Sequence, residues 1–231
     1  MARRPIVECT QPTHDTLNPH KRLLTAALLF ISLITGLSLW LVQAHAPADV
    51  ASRVKQGGTL RVGFAVEAPY AFIDGNGMVT GEAPEVFRRV AADLGVAHID
   101  WIRMDFASLL PELEVGRIDA IAAGMFITPE RQRRALFSRP TASVRTALVV
   151  RSDERRLPDK PSLADLGRAP SVRWVTVHDA VENRLLLQAG VTPEQIDTVP
   201  QLDQALRALA QGKADALAIS SVSAWNLVTR H

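Results

Sequence analysis

Apolar and polar positions change rhythm several times along this chain, and each change marks an element. Thr59-Leu60-Arg61-Val62-Gly63-Phe64-Ala65 alternates with the two-residue period of a half-buried strand. It ends at Glu67-Ala68-Pro69-Tyr70, where proline breaks the strand and two functional side chains stand at its exit. Asp74-Gly75-Asn76-Gly77 predicts a tight, hairpin-type turn. Over residues 83–94 the period lengthens: Val86, Phe87, Val90 and Leu94 share one helical face, and Gly95 closes the helix. Residues 98–102 read as a second strand, and 108–115 as a short helix stopped by Gly116. Residues 117–123, short and apolar, read as a buried strand. A further strand is expected at 146–150, and the charged, proline-containing stretch 151–161 suits a crossing between lobes. The second half repeats the alternation. It has a strand at 174–177, a helix at about 180–188 with Gly190 beyond it, a helix at 202–210 and a strand at 214–219. Strands alternating with helices predict an α/β fold with parallel strands.

An internal echo sharpens this picture. Leu113-Glu114-Val115-Gly116-Arg117-Ile118-Asp119-Ala120 resembles Leu209-Ala210-Gln211-Gly212-Lys213-Ala214-Asp215-Ala216. Each segment is a helix end, a glycine stop, a basic residue and a strand carrying Asp-Ala. Two similar α/β lobes would present their strand ends to a common crevice, which is where open parallel sheets bind ligands. Gly124 in one lobe then corresponds to Ser220 in the other.

Composition and charge narrow the classes. The 231 residues suit one domain or two small lobes, and the formal charge is +2. Basic residues are dispersed with no aromatic-interleaved stripe, which argues against nucleic-acid binding. The single cysteine, Cys9, precedes everything that reads as folded, which excludes an internal disulfide and a cysteine metal cluster. Residues 23–42 form a charge-free apolar run after Lys21-Arg22, and about 20 such residues span a bilayer. Arg3, Arg4, Lys21 and Arg22 predict the N-terminal side inside and the rest exported. Ala44-His45-Ala46 also matches a signal-peptidase pattern. Residues 1–22 thus read as a cytoplasmic leader, 23–46 as a signal peptide or a membrane anchor, and 47–57 as a linker. Residues 58–150 form lobe one, and 151–231 an incomplete lobe two. Localisation is periplasmic or otherwise extracytoplasmic, with membrane attachment through 23–42 if that run is not cleaved.

Candidate chemistry gathers at Gly124-Met125-Phe126-Ile127-Thr128-Pro129-Glu130-Arg131. Thr128 is a good N-cap and Pro129 suits the first helical position, so Arg131 falls in the first turn of a helix. Free backbone N–H groups, the positive helix end and a guanidinium fork predict a carboxylate receptor, with Phe126 as an aromatic wall. No nucleophile elbow or metal-ligand spacing occurs, so neither a catalytic residue, a metal nor a cofactor is expected.

Gly58-Thr59-Leu60-Arg61-Val62-Gly63, Pro69-Tyr70-Ala71-Phe72, Gly116-Arg117-Ile118-Asp119-Ala120, Thr128-Pro129-Glu130-Arg131 and Phe137-Ser138-Arg139-Pro140 together resemble the family 3 periplasmic solute-binding proteins. The resemblance covers roughly residues 57–228. It implies a two-lobed Venus-flytrap fold, here with the second lobe and the return crossover truncated at His231. It also implies an ABC permease as partner. Gly63-Phe64-Ala65 with Glu67-Ala68-Pro69-Tyr70, Thr80-Gly81-Glu82-Ala83-Pro84-Glu85 and Ala122-Ala123-Gly124-Met125-Phe126-Ile127 are most similar to ectoine/hydroxyectoine binders. So is Ala189-Gly190-Val191-Thr192-Pro193-Glu194-Gln195-Ile196. This implies an aromatic cage of Tyr70, Phe106 and Phe126, with Arg131 on the ligand carboxylate and Glu67 on its N–H groups. Ser220 stands where amino-acid binders of the family have an Asp, which argues against a standard amino acid. Ala180-Val181 replaces the usual Gly-Thr, so a second-lobe hydroxyl is missing. Nearby, Asp179 is a candidate helix cap and His178 a surface residue. The expected function is therefore capture of an ectoine-like zwitterion for import. The alternatives are a membrane-anchored ligand-sensing domain and an amino-acid binder of the same family. An enzyme on this scaffold is disfavoured, because no second catalytic group stands near Glu67 in sequence.

Overall fold

The computed structural model describes residues 50–230 together with Ser32. The expected leader, the apolar run 23–42 apart from Ser32, and the cleavage pattern therefore lie outside the described residues. Among the described residues, no helix is long and apolar enough to cross a membrane.

Two sheets carry the fold. In the first, β1 (Thr59–Phe64) lies between β4 (His98–Arg103) and β5 (Ala120–Ile121), all parallel. The expected strand at 117–123 shortens to two residues. Arg117 and Ile118 still direct their N–H groups back to the Glu112 carbonyl, so the chain is closing the helix α3 (Leu109–Glu114) before pairing begins. The hairpin β2 (Phe72–Ile73) and β3 (Val79–Thr80) is antiparallel. Its turn is held by the Asp74 carboxylate, which accepts the N–H groups of Asn76 and Met78.

The second sheet has the order β6-β9-β7-β8, built from Thr146–Val150, Ala216–Ser220, Trp174–Val177 and Ile196–Val199. Strands β7 and β9 are parallel, as expected, and β8, a strand the sequence reading does not include, is parallel to β7, but β6 runs antiparallel to β9. That pairing also puts 146–150 in the second sheet, whereas the sequence reading ends lobe one at 150. Leu148 packs on one core cluster while Ala147 and Val149 pack on another. A strand with apolar contacts on both faces shows in sequence only that it packs, not which sheet it joins.

Helix α2 (Glu82–Asp93) is rotated from its expected orientation. Val90 and Leu94 are 50% and 73% exposed, while Pro84 and Ala91 are buried. Phe87 decides the rotation. Its ring packs edge-on against Trp101 of β4 at 6.0 Å between centroids. Residues 50–55, read as linker, instead form α1 (Val50–Lys55). Val50 and Val54, four apart, cover the cluster of Leu60, Val62 and Ala122.

The echo is a structural repeat. Asp119, just before β5 with its carboxylate shielded from solvent, accepts from the Arg61 backbone N–H at 2.8 Å and from its Nε and Nη2 at 3.1 and 2.7 Å. Buried Asp215, just before β9, accepts from the same three groups of Arg173 at 2.9, 3.0 and 2.8 Å. In both lobes one carboxylate ties the incoming strand to its parallel neighbour, and so aims the strand exit at the space between the sheets.

Candidate functional site

One cavity lies where the strand exits meet. It encloses about 430 Å³ between atoms, its open mouth included. Glu67, Tyr70, Phe106, Phe126, Arg131 and Ser220, the six residues expected to form a site, all line it.

The first wall is a tight turn after β1. Both Tyr70 and Ala71 direct their N–H groups to the Glu67 carbonyl, and Glu67 N–H donates to the Ala71 carbonyl. The first amides of α2 then close on the turn: Glu82 N–H on the Pro69 carbonyl and Ala83 N–H on that of Tyr70. Glu67 and Tyr70 are thereby held three residues apart on one rigid corner. Gly124 backs the Tyr70 ring, and a Cβ there would stand 2.6 Å from Tyr70 Cγ. With φ of +61° as well, the position requires glycine on two counts.

Arg131 belongs to α4 (Pro129–Gln132), and Thr128 caps that helix as expected, its Oγ1 accepting from Arg131 N–H at 3.3 Å. The cap changes the expected receptor. The helix has only four residues and Thr128 takes one of its leading amides, so little dipole or free N–H is left for an anion. The guanidinium carries the charge instead. It is 8% exposed and lies over the Phe106 ring at 5.3 Å. Its Nη1 donates to the Phe126 carbonyl at 2.9 Å and its Nη2 to the Asp179 carbonyl at 2.7 Å. Each terminal nitrogen keeps a second N–H, so the fork is steered rather than consumed. Asp179 does not cap helix α6 (Val181–Gln188), since Ala180 occupies the cap position. With φ of 59°, it turns its backbone carbonyl toward Arg131 instead. His178 is exposed, as expected.

The second lobe supplies Val177, Ala180, Val181, Glu182 and the end of β9. A buried hydrogen-bond chain crosses between the lobes. Tyr70 O–H donates to Ser220 Oγ at 3.1 Å, Ser220 to Ser223 Oγ at 3.1 Å, and Ser223 to Glu67 Oε1 at 2.6 Å. Ser220 thus sits in the cavity as a neutral relay. Outside the cavity, Arg184 and Glu130 pair across the lobes at 2.7 Å, and Gln201 joins Arg103 to Asp105.

Charge inside the cavity is under strain. Burial pushes the Glu67 carboxyl up, partly opposed by the Ser223 hydrogen bond. Burial likewise raises the Tyr70 phenol and lowers Arg131. Glu182 is pushed up to about 7 by burial, with Glu67 adding to the rise and Arg131 and Thr146 opposing it. Two functional positions escaped the sequence reading. Glu182 looked like an ordinary first-turn acid of α6, yet it is 4% exposed and supplies the second titratable group near Glu67 that the sequence did not reveal. Ser223 lies in α8 (Ser221–Arg230), beyond every motif, and only the packing of that helix brings it to Glu67. Among the described residues, no cluster of acids, histidines or cysteines could hold a metal ion.

Comparison with known proteins points one way. The model of the bacterial extracellular solute-binding proteins, family 3, matches residues 60–220. A probable amino-acid ABC transporter periplasmic-binding protein of Sinorhizobium fredii is 33% identical over 202 residues, 86% of this chain. The chain spans 66% of that relative's length. Among solved structures, EhuB in complex with hydroxyectoine is similar at a TM-score of 0.73 and 28% identity, covering 79% of this chain and 70% of its own. One enzyme also matches. A membrane-bound lytic murein transglycosylase F of Ectopseudomonas mendocina is 29% identical over 75% of this chain and 35% of its own length.

Proposed function

The chain belongs to the family 3 bacterial extracellular solute-binding proteins, and we propose that it captures a small zwitterion between its two lobes and hands it to an ABC permease. The observation that carries this reading is the meeting of Glu67, Tyr70, Phe106, Phe126, Arg131 and Ser220 around one cavity. Arg131 takes the ligand carboxylate through its remaining N–H groups, a charge-assisted contact in a water-poor site. The rings of Tyr70, Phe106 and Phe126 face a delocalised cation, each contributing about 0.5–2 kcal/mol. Glu67 accepts the cation's N–H groups. Ectoine and hydroxyectoine have this distribution of charge, and the likeness to the hydroxyectoine complex supports them as leading candidates.

An amino acid is the second reading, favoured by the relative named as an amino-acid transporter component. Its weakness is Ser220, which offers an α-ammonium a hydroxyl rather than a charge. Closing of the lobes around the ligand is the mechanistic step, since every ligand contact made to both lobes stabilises the closed form over the open one. Binding rather than catalysis is the expected activity, in keeping with the transporter binding components to which the chain is similar. Isothermal titration of the folded protein with ectoine, hydroxyectoine and polar amino acids tests the reading. Saturable heat with ectoine or hydroxyectoine is expected, and a folded sample silent to the whole panel would sink it.

A further inference from the structure

We propose that Glu182 is a second ligand-facing carboxylate, which acts with Glu67 from the other lobe to select solutes whose cation is a planar N–H-bearing group, an amidinium or guanidinium. The proposal rests on the cavity being the solute site, and it narrows what that site takes. Glu182 lines the cavity and is buried to within 4% of complete, yet among the described residues no donor reaches its Oε1. An ionised carboxylate left in that position is costly unless an incoming group supplies the missing donor.

Its charged neighbours do not supply that donor. Arg131 attracts it, yet no N–H of that guanidinium reaches its Oε1, and the terminal nitrogens donate to the Phe126 and Asp179 carbonyls. The first-turn amide of α6 and the Thr146 hydroxyl favour its charged form and Glu67 repels it, but none of them leaves its Oε1 with a donor. A planar amidinium or guanidinium carries N–H groups on opposite edges, so one cation can serve a carboxylate from each lobe at once. A fully methylated ammonium has no hydrogen to give, and it would leave both acids unsatisfied. Because burial raises Glu182 to about 7, a cation arriving near neutral pH also displaces a proton from it.

Titration calorimetry of the full chain at pH 7 tests this, with ectoine, L-arginine and glycine betaine as probes in two buffers of different ionisation heat. The wild type is expected to bind ectoine or arginine in preference to betaine, with net proton release. Glu182→Gln, which keeps shape and removes charge, is expected to weaken the bound cation at least fivefold and to reduce the proton release, with its unfolding temperature no lower. A smaller loss, unchanged proton release, or betaine bound as tightly as the others overturns the proposal while leaving a working solute site. A folded wild type that binds none of the three overturns the solute-site reading, and this proposal with it.

Discussion

Gly124 shows how one residue can hold a site together without touching a ligand. Its left-handed backbone and its lack of a side chain let the Tyr70 ring lie against the strand exit. Gly124→Ala introduces both backbone strain and a clash, and should cost about 1–3 kcal/mol in urea unfolding. It should also weaken ligand binding, because the displaced ring carries the Tyr70–Ser220 bond with it. Glu182 makes a prediction of the opposite kind. Its folded-state value of about 7 lies above the ordinary glutamate value of 4.5, so the folded protein holds a proton there that the unfolded chain releases. Stability from this group is therefore fully present below about 4.5 and lost as pH rises through 7. The loss is on the order of 2–3 kcal/mol, read from thermal unfolding of the unliganded protein between pH 5 and 8. Glu182→Gln should flatten that slope. From the sequence, Gly124 was legible as a strand exit, but Glu182 was not legible as anything beyond a helix-start acid, because burial is a property of the neighbours and not of the residue.

At the level of elements, the paired aspartates are the repeated device. Hydrogen bonds from Arg61 and Arg53 overcome the burial that would otherwise raise Asp119, and hold it at about 2. Asp215 is held low in the same way, by Arg173 first and then Arg156. Both contributions to stability are present above the ordinary carboxylate range and disappear as pH falls through it toward 2. Asp215→Asn removes the charge from three Arg173 hydrogen bonds, and should cost about 2–3 kcal/mol in urea unfolding. Binding should fall as well, since β9 delivers Ser220 to the cavity. The echo of helix, glycine and Asp-Ala strand was visible in the sequence because both lobes repeat the same local solution. The antiparallel β6 and the rotation of α2 were not visible. Each is decided by which apolar surface lies opposite, and in the case of α2 that surface is Trp101.

At the scale of the molecule, polar contacts bridge the lobes across the cavity. The chain Tyr70–Ser220–Ser223–Glu67 and the Arg131–Asp179 bond join the lobes before any ligand contributes. Removing donors from that chain with Tyr70→Phe and Ser223→Ala together should favour the open form by about 1–3 kcal/mol, since each lost bond is worth roughly 0.5–1.5 kcal/mol. Small-angle scattering should then show a larger radius of gyration than wild type, restored by saturating ligand. An unchanged radius would mean that packing, rather than this chain of hydroxyls, sets the closed state.

Most of the alternation of strands and helices, the two-lobe repeat and the Thr128 cap followed from the sequence, because each is encoded by period, turn chemistry or local motif over a few neighbouring positions. The six expected cavity residues were reached mainly through the resemblance of those motifs to a known family. What the tertiary structure alone decided is which groups end up sharing low-dielectric space. It placed Glu182 beside Glu67, gave Ser223 to Glu67, and turned the Asp179 carbonyl rather than its carboxylate toward Arg131. Those partners come from opposite lobes and from positions 48 to 156 residues apart. No window of sequence spans such a distance, and the energy of a buried charge depends on all of its neighbours at once.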